Sequence, residues 1–87
     1  MNLTINTRDI QDAIPFQLLK AYTSTTEEGQ SQLNLVVFSN STDEQIMRDL
    51  LIDAIDNQYN YVNINRANDE ITIYTFTAIK GYTYCID

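Results

Sequence analysis

The segment between Ser41 and Asn57 constrains the fold most strongly, because it has helical periodicity while its neighbours on both sides favour strands. Its apolar residues recur at spacings of three and four, which places them along one side of a helix. These residues are Ile46, Met47, Leu50, Leu51, Ala54 and Ile55. Ser41 and Glu44 have the spacing of a capping box, in which each side chain accepts a hydrogen bond from a backbone N–H at the helix start. We therefore predict a helix from Ser41 to about Asn57.

Runs of strand-forming residues flank this predicted helix. Leu33–Phe38 is almost continuously apolar, which is typical of a strand covered on both faces. After the helix, Tyr59–Asn65 and Glu70–Ile79 predict two strands joined by a hairpin at Arg66–Asp69, and Tyr82–Ile86 predicts a last strand. One sheet with helices on one face lets both kinds of element bury their apolar sides. We predict an α+β fold with an antiparallel sheet of three to five strands, two helical segments on one face and a C-terminal hairpin or meander.

The first third of the chain contains a proline within a helical pattern. Leu3–Ile5 alternates and predicts a short strand. Beyond it, apolar residues recur every four positions up to Ala21, which predicts a helix that Thr7 caps. Pro15 removes a backbone donor in the middle of this segment, so we expect the helix to be kinked or split in two. Thr23–Ser31 is rich in hydroxyl side chains and contains a glycine, which predicts a surface loop.

The length and composition predict one folded domain spanning residues 1–87. Compact domains run from about 50 to 250 residues, and a chain that is 44% hydrophobic is too apolar for disorder. Its apolar runs, such as Leu35–Phe38, are far shorter than the roughly 18 residues that cross a bilayer. No signal peptide is visible at Met1–Thr4, and the single Cys85 fits a reducing compartment. We expect a soluble, cytoplasmic protein.

Several kinds of reactive site are excluded by what the chain lacks. It has no histidine and one cysteine, so a zinc site of the usual kinds and a Ser–His–Asp or Cys–His arrangement are ruled out. Gly29 and Gly81 are too far apart to form a phosphate-binding loop, and the calcium-binding spacing of an EF-hand is missing. We expect no catalytic residues, no metal site and no cofactor, and hence no enzyme.

The net charge of −7 points to the kind of partner. Five scattered cations oppose twelve acids, so the field of the chain repels nucleic acid and anionic membranes. We therefore expect no direct contact with nucleic acid or membrane, and instead a protein partner with a basic surface. The same charge also serves solubility alone, and this alternative stays open.

A row of carboxylates lies beside the apolar side of the predicted helix. Asp49, Asp53 and Asp56 are spaced so that they neighbour one another, which costs about 0.2–0.5 kcal/mol for each like-charged pair. Asp56 also lies near the negative end of the helix dipole, where an anion is disfavoured. These choices favour a contact with a partner, although a plain solvated face explains the row as well. We predict that Ile52 is exposed beside these acids as an apolar contact.

Tyrosine is concentrated in the C-terminal strands. Tyr59 and Tyr61 alternate along one predicted strand, and Tyr82 and Tyr84 along another. If both pairs face away from the helices, they form an aromatic patch of the kind that interfaces favour. If they face inward, they belong to the core. We take the four as candidate partner-binding residues.

Together these features predict a small acidic module that binds or inhibits a protein with a basic surface. In size, charge and lack of reactive groups it resembles the small acidic proteins with which phages counter host enzymes, including anti-restriction and anti-CRISPR inhibitors. That resemblance implies a partner that itself binds nucleic acid. The alternative is a structural subunit that forms a homodimer through its tyrosine-rich strands, with Tyr82–Ile86 pairing across a two-fold axis.

Overall fold

The computed structural model describes residues 1–38 and 44–87 and has the predicted α+β architecture. Along the chain its elements are β1 (Asn2–Ile5), α1 (Thr7–Ala13), β2 (Leu18–Thr25), β3 (Ser31–Phe38), α2 (Glu44–Ala54), β4 (Tyr61–Arg66), β5 (Ile71–Thr77) and β6 (Thr83–Ile86). The predicted capping residue Ser41 lies outside the described residues. No helix in the described part of the chain is long and apolar enough to cross a membrane.

Four strands form an antiparallel sheet in the order β2-β3-β5-β4. The predicted hairpin between β4 and β5 is confirmed. Asn68 closes it, because its side-chain oxygen accepts bonds from the N–H groups of Glu70 and Ile71 at 2.8 and 3.0 Å. The last strand, β6, does not continue this sheet. It pairs in parallel with β1, with Leu3 opposite Tyr84.

Strand alternation decides which residues enter the core. On β3, Leu33, Leu35 and Val37 are fully buried, and β5 places Tyr74 and Phe76 directly beside them. The helices and the β1–β6 pair complete one hydrophobic core on this side of the sheet. Their buried members are Leu3, Ile5, Ile10, Ile14, Met47, Leu51, Ile55 and Tyr84.

The opposite side of the sheet, which we call the open face, is partly exposed. The prediction that β3 is covered on both faces is therefore wrong. Val36 is half-buried there, and Phe38 is 45% exposed. Tyr22 of β2 and Tyr61 of β4 are also exposed on this face.

The predicted helix over the first third of the chain is shorter than expected. It ends at Ala13, and Asn6 rather than Thr7 caps it, since its Oδ1 accepts bonds from the N–H groups of Arg8 and Asp9. Ile14 is extended, as a residue before proline prefers.

Beyond Pro15 the chain forms a strand instead of a second helix. Gln11 directs this change of structure: its Nε2 donates to Phe16 O at 2.8 Å, and its Oε1 accepts from Leu18 N–H at 2.7 Å. Pairing with β3 then satisfies the backbone of β2. The helical spacing of Leu18 and Ala21 was therefore misleading.

The predicted loop at Thr23–Ser31 is also shorter. Strand β2 runs to Thr25, and Ser31 already belongs to β3. The connection closes tightly because Thr26 N–H donates to Gln30 O at 2.9 Å. Gly29 allows this turn with a φ of 84°, a value that residues with a side chain rarely adopt.

Candidate protein-binding surface

The acidic row begins on α2. Asp49 and Asp53 are exposed, as predicted, but Asp49 is not free of partners. It accepts a bond from Gln45 Nε2 at 3.1 Å and forms an ion pair with Arg48 at 3.3 Å. Because this pair is solvent-exposed, it contributes less than about 1 kcal/mol to stability. Asp53 has no ion pair within the described residues.

Asp56 lies just beyond the helix, in an unusual backbone conformation. Asp56 N–H donates to Asp53 O and Asn57 N–H donates to Ile52 O, both at 3.0 Å, which is the pattern of a Schellman motif. In this motif Asp56 takes the left-handed position that glycine usually occupies, with a φ of 61°. The backbone thus fixes Asp56 at the C-terminal end of α2, where the residue is exposed to solvent.

Asp56 does not stand alone, because it lines a cleft of about 230 Å³ together with Asp9 of α1. We call this feature the acidic cleft. Its apolar wall comprises Ile5, Ile10, Ala54 and Ile55, and its polar lining comprises Thr4, Asn6, Asp9, Asp56 and Gln58. The sequence did not point to Asp9, since only the packing of α1 against α2 brings it and Asp56 to the same cleft.

A cleft that has both an apolar wall and carboxylates suits a lysine or arginine side chain. Lysine and arginine pack their aliphatic stems against apolar surface while their charged heads remain in polar surroundings. A carboxylate forms stronger hydrogen bonds with such a head than with a neutral donor. Two carboxylates, Asp9 and Asp56, are available here, and neither has an ion pair in the part of the chain that the structure describes. The cleft is thus chemically suited to a cationic side chain.

The prediction that Ile52 is exposed is wrong. It is half-buried and packs against the core, whereas Ile46 of the same helix is 60% exposed. The buried side of α2 is centred on Met47 and Leu51 and continues into Ile55. This rotates the helix relative to the prediction, so that Ile52 turns toward the core and Ile46 turns into solvent.

Of the two alternatives left open for Tyr82 and Tyr84, the structure has the one in which they belong to the core. Tyr84 is 3% exposed, and its hydroxyl donates to Gln58 O at 2.5 Å. Burial raises the pKa of Tyr84 to about 12. Tyr82 is half-buried and packs against the same core. Both residues stabilise the β1–β6 region rather than forming a free aromatic patch.

The other two candidate tyrosines have different surroundings. Tyr59 is half-buried and packs edge-to-face on Phe76, with ring centroids 5.7 Å apart. Tyr61 is 42% exposed and lies on the open face, opposite Thr77. The structure therefore does not join the tyrosines and the acidic row into one surface, because Tyr61 lies on the side of the sheet away from the helices.

Side chains suited to metal binding do not cluster. In residues 1–38 and 44–87, no three Asp, Glu or Cys side chains lie close enough together to hold an ion. Comparison with known proteins identifies no relative, since no protein-family profile, curated protein or solved structure matches the chain. The surface itself is therefore the basis for a functional proposal.

Proposed function

We propose that this protein is a non-catalytic binding module whose acidic cleft receives a lysine or arginine side chain from a basic surface on a partner protein. The observation that carries the proposal is that Asp9 and Asp56 line one cleft together with an apolar wall. Neither carboxylate has an ion pair within the described residues, so both are available to a partner's cation.

The size of the cleft supports a side chain rather than a small molecule as its occupant. Its volume of about 230 Å³ lies below the range of about 300–1,000 Å³ that is usual for ligand pockets. Its charge also favours a cation, because complementary charge speeds encounter and selects the partner. Asp53 extends the acidic surface along α2 for further contacts.

The position of Asp56 adds a second line of support. A left-handed backbone and the negative end of a helix both disfavour an aspartate at this position. An aspartate at this position is reasonable if its carboxylate contacts a partner protein. An inhibitory action fits this picture, since a partner that binds nucleic acid exposes the basic surface that these acids complement. We place this action in the cytoplasm, where Cys85 stays reduced.

The test compares two double variants that remove the same charge. Asp9→Asn with Asp56→Asn neutralises the cleft, whereas Glu27→Gln with Glu28→Gln neutralises the exposed β2–β3 turn. Tagged wild type and both variants are used for affinity capture from host cells, and circular dichroism verifies that each is folded. We expect the captured partner to be lost with the cleft variant and retained with the turn variant. Raising the salt concentration should release it from the wild type.

Two results would contradict this proposal. If both double variants reduce capture equally, net charge rather than the cleft is responsible. If capture by the cleft variant matches the wild type, the acids serve solubility alone.

The alternative of a homodimer through Tyr82–Ile86 has weaker support. Tyr84 is in the core, and β6 already pairs with β1 along one side.

A further inference from the structure

The open face contains four apolar residues on its two central strands, at the end of the sheet where β3 finishes and β5 begins. Val36 lies opposite Ile73, and Phe38 lies opposite Ile71, on the two central strands β3 and β5. We call these four residues the apolar square. Phe38 is 45% exposed and the other three are half-buried. None of the four belongs to the hydrophobic core or packs against it.

Next to the apolar square, the polar side chains of β3 and β5 on the open face bond to one another and to Ser24 of β2. Thr75 Oγ1 donates to Asn34 Oδ1 at 2.9 Å, and Asn34 Nδ2 donates to Ser24 Oγ at 2.9 Å. Ser24 Oγ donates to Gln32 Oε1 at 3.1 Å, and Gln32 Nε2 donates to Thr77 Oγ1 at 3.2 Å. Because these groups already have partners, removing water from above them costs less than it would for unpaired groups.

The distribution of charge on the molecule distinguishes this face from the others. In the described strands, Lys20 is the one charged residue on the open face. The described carboxylates lie instead on the helices, in the connections and at the C-terminal end. A basic partner would gain little from a face without acids. A second copy of a chain with a net charge of −7 is repelled least when it approaches this face.

We propose that two copies of this chain pack through their open faces to form a symmetric dimer in which the two apolar squares contact each other. Stacking two sheets face to face, about 10 Å apart, is a standard way to bury apolar strand residues. In this arrangement the acidic helices point outward on both sides. The acidic cleft stays accessible, so the dimer does not depend on the function proposed above.

The area of the face sets the expected strength of the dimer. Four strands about 4.8 Å apart span roughly 19 Å, and seven paired positions at about 3.4 Å per residue span roughly 24 Å along the strands. The open face therefore has a footprint of roughly 19 by 24 Å. Two such footprints approach the total of about 1,000 Å² that marks the lower end of specific interfaces. We therefore expect a reversible dimer with a dissociation constant of about 1 µM or weaker.

Analytical ultracentrifugation of the full chain, from micromolar to millimolar concentration, tests this proposal. The wild type should shift from monomer to dimer mass with increasing concentration. Ile73→Lys puts a charge into the apolar square and should weaken the dimer at least tenfold. Ile46→Lys makes the same change on α2, where Ile46 is 60% exposed, and should leave the dissociation constant of the dimer unchanged. If Ile73→Lys does not fold, Phe38→Ser replaces it as the test, because the Phe38 side chain is already exposed. Phe38→Ser should also weaken the dimer.

Salt separates this proposal from the binding of a basic partner. Added salt screens the repulsion between two acidic copies and should strengthen the dimer, whereas it should weaken binding to a cationic partner. A wild-type chain that stays monomeric at millimolar concentration overturns the proposal. An equal effect of Ile46→Lys and Ile73→Lys, or a dimer that dissociates as salt is added, overturns it as well.

Discussion

Replacing Asp56 by glycine should stabilise the fold while it weakens partner binding. Asp56 has a φ of 61° at the glycine position of a Schellman motif. A left-handed residue with a side chain costs about 1–2 kcal/mol, and aspartate lies at the lower end because its short side chain bonds locally. Its charge at the negative helix end costs about a further 0.3–1 kcal/mol. Glycine removes both costs but adds about 0.4–1 kcal/mol of backbone entropy to the unfolded chain. The net expectation is a rise of about 1 kcal/mol in the free energy of unfolding.

Asp56→Asn is the matched control, because asparagine also tolerates the left-handed region but has no charge. It should recover the dipole contribution alone, about 0.5 kcal/mol. The difference between the two variants then measures the backbone strain at this position, less the entropy that glycine adds to the unfolded chain.

Urea unfolding followed by circular dichroism measures both variants. A gain of about 1 kcal/mol corresponds to a rise of about 4–8 °C in Tm for a domain of this size. Affinity capture should weaken for both variants, since both lose the carboxylate. The reasoning is refuted if Asp56→Gly lowers the free energy of unfolding, or if Asp56→Asn gains as much as Asp56→Gly.

Three further expectations concern stability. Because burial raises the pKa of Tyr84 to about 12 from its ordinary 10.0, the unfolded phenol ionises first. Tyr84 should therefore lower the free energy of unfolding by roughly 2–3 kcal/mol as the pH rises from 10 to 12, and urea unfolding of Tyr84→Phe should lack this contribution. Asn34→Ala breaks the polar network of the open face and should lower the free energy of unfolding by about 1–3 kcal/mol. Asn63→Ala, at an exposed position nearby, should lower it by less than about 0.5 kcal/mol. Equal losses for the two variants in urea unfolding would argue against the network. Leu35→Ala removes a fully buried side chain and should cost about 2–5 kcal/mol in the same assay, and a loss under 1 kcal/mol would contradict the assigned core.

Elements with a strong local pattern were predictable from the sequence. Helix α2, strand β3 and the β4–β5 hairpin all lie where periodicity and turn residues placed them. The position of Asp49 and Asp53 on the exposed side of α2 followed from the same periodicity. Local periodicity is sufficient there because each residue's neighbours along the chain determine which side of the element it occupies.

Local pattern misled where distant partners decide the structure. Leu18 and Ala21 have helical spacing, yet they form a strand because β3 offers backbone partners along β2 and Pro15 interrupts the helix. Ile52 and Ile46 exchanged their expected environments, since the packing of α2 on the sheet sets the rotation of the helix.

Charge, the lack of histidine and the α+β class were determined by the sequence by itself, because they depend on composition and on local periodicity. Only the tertiary structure brought Asp9 and Asp56 to one cleft, buried Tyr84 against Gln58 and gathered uncharged side chains on one face of the sheet. Each of these features joins residues that are far apart in the chain. Their proximity follows from which surfaces pack together to exclude water, and no short stretch of sequence encodes that choice.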